Sequence, residues 1–209
     1  MVSVLLATAS PRRREWLSLR LRGTGIILDF SETEGEEPMP EVGIEVSKQA
    51  EVACLHKAKT MIRELGGFTW HSSIVVSDTL VEDPDDPVVP MGKPSDHLVA
   101  TAMLMRLSDR RHRVWSSTAL AYPPGGSGSM EIIDGWTADI WTEFSIAEFE
   151  GMGEGELVEL IESGSWVGKA GGYDMAGDAS RFLNLVEGEE VTVLGFAPNA
   201  IRHLIASFA

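Results

Sequence analysis

The sequence predicts an α/β protein with a mixed sheet. Three observations carry this reading. Short β-branched apolar runs alternate with segments of helical periodicity. The switches between them fall at Pro, Gly, Asp and Ser. No Pro/Gly/Ser-rich linker and no repeat interrupts the alternation, so residues 1–209 read as one domain.

Residues 2–8 are β-branched and apolar, a buried strand. Ser10 is an N-cap type and Pro11 suits a first helical position, so a helix follows over 12–21. Residues 26–30 form a second strand that runs into the acidic loop SETEGEEP. A long helix spans 44–65, and the run SIVVS at 73–77 is a short buried strand ending at Asp78. The Pro- and Asp-rich stretch 82–94 reads as a connection. A helix follows over 96–107 with Ser95 as its cap, then a strand over 113–121 and a turn in PPGGSGS. Residues 132–144 alternate as a strand, 154–163 form a helix, and 169–177 form a glycine-rich loop. A strand at 191–195 and a helix over 199–209 close the pattern.

Composition narrows the function. The chain is 44% hydrophobic with mean hydropathy near zero, enough for a sizeable core. Its formal charge of -15 repels polyanions and argues against nucleic-acid binding, though not against a small anion in a local cationic pocket. A single cysteine, Cys54, excludes an internal disulfide framework. No apolar run nears the ~18 residues of a membrane span. MVSVLLATA lacks a basic leader region and reads as a strand, not a signal peptide; the expectation is a cytoplasmic protein without membrane partners.

Against this acidic background three arginines, Arg12, Arg13 and Arg14, sit at a helix start, where the dipole favours anions. They are either solvated surface charges or a phosphate site built with the helix N-terminus. Lys57 falls among Val46, Ala50, Ala53 and Met61 on a helical wheel, so it snorkels or meets an anion. Lys93 precedes another helix start and is a loop lysine or a second anion contact. Asp78 and Glu32 follow strands, where α/β proteins place ligand groups. Two such carboxylates could hold a divalent cation, and one could deprotonate a water. The acidic runs at 36–37 and 82–86 read as solvated loops. The five histidines show no metal-ligand spacing, and no P-loop is present.

Seven blocks in order resemble the Maf proteins: SPRRREWL, SETEGEE, CLHKAK, SDTLV, MGKPSD, RRHRV and SWVGKAGGYDMAG. That family comprises nucleoside triphosphate pyrophosphatases first named for a link to septum formation. The resemblance implies two lobes around an elongated mixed sheet, an ITPase-like fold with a central cleft. It implies hydrolysis of a nucleoside triphosphate to monophosphate and pyrophosphate with a divalent metal, magnesium or alternatively manganese, and a homodimer. Residue by residue, Asp78 matches the proton acceptor. Ser10, Arg12 and Arg13 match the phosphate-binding segment, and Glu32, Lys57 and Lys93 match cleft residues, with Glu32 and Asp78 on the metal. Arg12 and Thr79 match positions linked to substrate choice, and Lys169, Gly171 and Tyr173 match a segment near the base. Two departures stand out: Ser77 replaces an alanine, and Ala176 replaces a glutamine at a further specificity position. Thr79 and the K-A-G-x-Y segment agree with the subgroup acting on dTTP and UTP, so the resemblance implies one of these or a modified pyrimidine nucleotide as substrate. A non-catalytic nucleotide-binding regulator and a phosphatase releasing orthophosphate are the competing readings.

Overall fold

The computed structural model describes residues 2–33 and 43–208. The acidic run at 36–37 lies outside them. In chain order the elements are β1 (Val2–Ala7), α1 (Pro11–Arg20), β2 (Ile26–Ser31), α2 (Val46–Glu64), β3 (Ser73–Asp83), β4 (Asp86–Met91) and α3 (His97–Leu107). They continue with β5 (Arg111–Tyr122), β6 (Met130–Ile133), β7 (Trp136–Phe149), α4 (Glu154–Glu162), β8 (Leu183–Glu187), α5 (Glu190–Leu194) and α6 (Pro198–Phe208). All the strands join one mixed sheet in the order β2-β1-β3-β5-β7-β6, with β4 added to β3 and β8 to β7. β2, β1 and β3 are parallel; β3, β5 and β7 are antiparallel.

The long strands β3, β5 and β7 each serve both ends of the molecule. At one end Ile74, Val76, Ala121 and Trp136 pack against α2, while Val75 and Leu120 on the other face meet Leu17 and Leu204. At the far end Val81, Val114 and Phe149 pack against Leu104, Leu107 and Leu160 from α3 and α4. Between these apolar ends the sheet changes character. Ser77, Ser116, Ser117, Thr118 and Ser145 are all buried there. Their hydroxyls bond one another and nearby carbonyls: Ser77 Oγ reaches the Ser117 and Gly195 carbonyls at 2.8 and 2.6 Å, and Ser117 Oγ meets Thr142 Oγ1 at 3.0 Å. Two lobes therefore share one elongated sheet, joined at a polar waist.

Several expectations need correction. The strand expected at 73–77 continues to Asp83, because its outer half lies under the second apolar cluster. The 82–94 connection contains β4; Pro87 and Pro90 are tolerated because β4 pairs only with β3 and is an edge. The 82–86 run is solvated only at its outer end, where Asp85 and Asp86 are exposed. Glu82 is buried and accepts from Arg113 Nη1 at 2.9 Å and Trp115 Nε1 at 2.7 Å, while Asp83 and Asp85 take up Arg106 and Arg110. The single strand at 132–144 is a hairpin, β6–β7, turning at Asp134 and Gly135 with φ of 50° and 77°. That Asp-Gly pair supplies the two positive φ angles a tight hairpin demands. The strand expected at 191–195 is instead the helix α5 over Glu190–Leu194, its β-branched run overridden by packing and stopped at Gly195. A further strand, β8, completes the edge beside β7. Asp96, not Ser95, caps α3, its Oδ1 accepting from the Leu98 and Val99 amides at 2.9 and 3.0 Å.

Candidate active site

β1 and β3 are parallel, with Ala7 level with Val76. The residues just beyond, Thr8–Ser10 past the carboxyl end of β1 and Ser77–Thr79 in the middle of the longer β3, are thus brought side by side; Asp78 is therefore a mid-strand residue and not the strand-end group expected from sequence. Ser10 caps α1 as its sequence suggests, its side chain accepting from the Arg13 amide at 3.4 Å. Above them opens a cleft of about 440 Å³. One wall comes from the β1–α1 turn, the other from the 167–175 loop, and Lys57, Asp78 and Thr79 lie between.

Nine of the candidate site residues singled out from sequence line this cleft together: Ser10, Arg12, Arg13, Lys57, Asp78, Thr79, Lys93, Lys169 and Tyr173. Gly171 sits behind the lining, where its φ of 71° and its approach to Val81 leave no room for a side chain; an added Cβ would meet Val81 Cγ2 at 2.9 Å. Its amide donates to the Gly92 carbonyl at 3.0 Å, tying the loop beside Lys93. Glu32 and Ala176 are not among the lining residues; Thr33 and Met175 line it in their neighbourhood. Ala176 is exposed and contributes a backbone amide to Asp174 at 3.0 Å.

The three arginines have separate protein partners. Arg14 Nη2 donates to the Thr8 carbonyl and to Glu32 Oε1, both at 2.6 Å. Arg13 Nη1 donates to the Ser77 carbonyl at 2.8 Å, and its Nη2 to Thr79 Oγ1 at 2.7 Å. Its guanidinium therefore grips β3 on both sides of Asp78. It lies 5.9 Å from the Phe196 ring centroid and against Gly195, where a Cβ would stand 2.3 Å from its Nε. Arg12 crosses the cleft to bond Asp174. The surface-charge reading of this trio fails, because each guanidinium is spent on a carbonyl, hydroxyl or carboxylate. Sequence gave no hint of the Arg13 grip, which needs partners 64 and 66 residues away.

Asp78 is buried at 7% exposure, and Lys57 Nζ donates to its Oδ1. So Lys57 meets an anion of the protein itself, and its place in an apolar stripe is explained without snorkelling. Beneath them Cys54 is fully buried; burial, with the Asp78 charge, pushes its thiol up to about 12. A thiol so placed is inert.

Metal fit follows from the donors present. Among the described residues no group of three or more His, Cys, Asp or Glu converges. Asp78 faces the cleft, whereas Glu32 is tied to Arg14 with its side chain 57% exposed. Magnesium bound with a phosphate ester needs only one or two protein carboxylates, since phosphate and water oxygens complete its shell. Asp78 meets that need in place; Glu32 would have to release Arg14.

On the far wall Tyr173 is buried, its hydroxyl 2.7 Å from His112 Nε2 and its ring edge-on to Phe149 at 5.0 Å. Burial pushes the Tyr173 phenol well up, and pushes His112 from 6.5 down to about 4. Between those two values the unfolded chain binds a proton that the folded chain refuses. Stability then falls as pH drops from 6.5 towards 4 and is untouched above 6.5, by about 3 kcal/mol in all. Urea unfolding across this range should show His112→Gln with a shallower pH slope than the parent. An identical slope would remove His112 from the acid-labile groups.

An elongated mixed sheet whose waist carries a buried carboxylate beneath a cation-lined cleft defines the class: a two-lobed α/β protein with its site between the lobes. The chain belongs to the Maf-like protein family, whose model matches residues 3–208. It is 30% identical over 208 residues to a dTTP/UTP pyrophosphatase of Zymomonas mobilis, covering 97% of this chain and 90% of that protein. A protein of the same name from Novosphingobium aromaticivorans is 31% identical, covering 97% of this chain and 90% of its own. Another from Aliivibrio fischeri is 30% identical, covering 98% and 97%. Among solved structures, a HAM1 protein from Coxiella burnetii overlays 71% of this chain and 73% of its own at 17% identity, with a TM-score of 0.43.

Proposed function

We infer that this protein is a nucleoside triphosphate pyrophosphatase acting on dTTP or UTP, releasing the monophosphate and pyrophosphate. The observation that carries the reading is the buried Asp78–Lys57 pair, set at the waist of the sheet between cations of both lobes. Relatives spanning nearly the whole chain and named for this activity support it. The whole chain acts as one domain, on a cytoplasmic nucleotide pool and as a homodimer.

The geometry suggests the following division of labour. The α1 N-terminus with Ser10, and the cations Lys93, Lys57, Arg12 and Arg13, hold the triphosphate. Fixed positive groups near the leaving pyrophosphate favour the charge that develops there. The Asp78 carboxylate, oriented by Lys57, takes a proton from the attacking water. The water oxygen bonds the attacked phosphorus, and the α–β bridging oxygen departs with pyrophosphate. A divalent cation, magnesium or manganese, held by Asp78 and Glu32, would neutralise phosphate charge and acidify water. Thr79, Lys169, Gly171, Tyr173 and the surroundings of Ala176 shape the base end.

A turnover screen over canonical triphosphates with magnesium or manganese, identifying both products, tests this directly. Nucleoside monophosphate and pyrophosphate in equal amounts are expected. Orthophosphate would make the protein a phosphatase, and tight binding without products a nucleotide-binding regulator.

A further inference from the structure

One charged group at the cleft has no part in the scheme above. Asp174 lies between two lining residues in sequence, Tyr173 and Met175, and between two lining cations in space. Its Oδ1 accepts from Arg12 Nη1 and from the Ala176 amide, the latter at 3.0 Å. Its Oδ2 is 3.5 Å from Lys169 Nζ. The side chain is 13% exposed.

An ionised carboxylate offers about four acceptor positions. These contacts account for three, and the remaining one is on Oδ2. It is flanked by donors, since an ammonium carries three N–H groups and a guanidinium five. Arg12 Nε is itself buried with no hydrogen-bond partner. The same end of the cleft has an apolar lining of Val81, Val114, Val167 and Met175, suited to the faces of a flat ring. Ala176, with only a methyl side chain, reads nothing there; its amide is spent on Asp174.

We propose that Asp174 is a specificity-determining residue: with Lys169 and Arg12 it presents a donor–acceptor–donor edge to the base. The proposal rests on the reading that a nucleotide occupies the cleft. Uracil and thymine offer the complementary edge, with carbonyl oxygens on either side of N3–H. Cytosine offers an N3 lone pair where the carboxylate needs a proton, and an amino group where the cations need an acceptor. A charged hydrogen bond lost, with its polar partners left facing each other, costs on the order of tenfold or more in affinity.

Calorimetric titration with the α,β-methylene analogues of UTP and CTP, which resist cleavage at the bond concerned, tests this on the full chain. The parent is expected to bind the UTP analogue at least about tenfold more tightly than the CTP analogue. In Asp174→Asn, whose amide can turn a donor towards N3, that preference should vanish or reverse; Asp174→Ser should also lose it. Equal affinity for the two analogues in the parent overturns the proposal while leaving the nucleotide reading intact. An unchanged ratio in the variants does the same. So does an equal gain for both analogues and for inorganic tripolyphosphate, which would make Asp174 a competitor of phosphate. If neither analogue binds the parent, the nucleotide reading falls as well.

Discussion

Asp78→Asn is expected to bind nucleotide normally and to lose about 10²–10⁴-fold in turnover, the range for removing a positioned base. The substitution keeps size and shape, and an amide oxygen can still accept from Lys57 Nζ, so the local fold should hold. What it removes is the proton acceptor and the charge. Steady-state kinetics of pyrophosphate release, paired with binding of a non-cleavable analogue, separates the two effects. Full turnover in this variant would mean that another group accepts the proton. Loss of binding alone, with turnover per bound nucleotide unchanged, would make Asp78 a structural partner of Lys57.

The second large effect is expected at Arg13. Its guanidinium holds the Ser77 carbonyl and the Thr79 hydroxyl, which bracket Asp78 on β3. Truncating it frees both ends of that tripeptide, and a displacement near 1 Å at a reacting group can cost about 10²-fold. Arg13→Ala should therefore lower kcat about 10²-fold, with a smaller rise in KM. Arg13→Lys should not rescue it, because one ammonium cannot reproduce a planar two-point grip. Gly195→Ala offers an approach from the other side, since its Cβ would fall 2.3 Å from Arg13 Nε and 2.6 Å from Nη2. It should reproduce the kcat loss without touching a charge. A rise in KM alone in both variants would restrict Arg13 to holding phosphate.

Much of the site was legible because its residues follow local rules. Ser10 and Pro11 announce the α1 start, and Asp78 stands out as a carboxylate closing an apolar run, although β3 continues past it to Asp83. Lys57 was visible as a misplaced charge on a helical wheel. The helices were read to within a few residues wherever their periodicity is long, as in α2. What stayed hidden depends on partners remote in sequence. Residues 191–194 have strand propensity, yet they turn as α5, with Val193 packed in the second apolar cluster. The edge strand β4 was masked by two prolines that only an edge would accept. Asp174 lies inside a recognisable block but gains meaning only from Arg12, 162 residues earlier. The Glu32 pairing with Arg14 was equally hidden, since its strand-end position says nothing of a partner 18 residues earlier.

The hydroxyl belt at the waist bears on what it costs to dry the groove. When a bound molecule expels solvent, any floor group that relied on water would lose a partner and oppose entry. Here Ser77 and Ser116 already bond carbonyl oxygens of the fold, and Thr79 holds Arg13 and Ser116. Dehydration therefore falls chiefly on the charged side chains, whose new neighbours on an incoming polyanion can compensate them. The floor is wet-looking in composition and dry in behaviour.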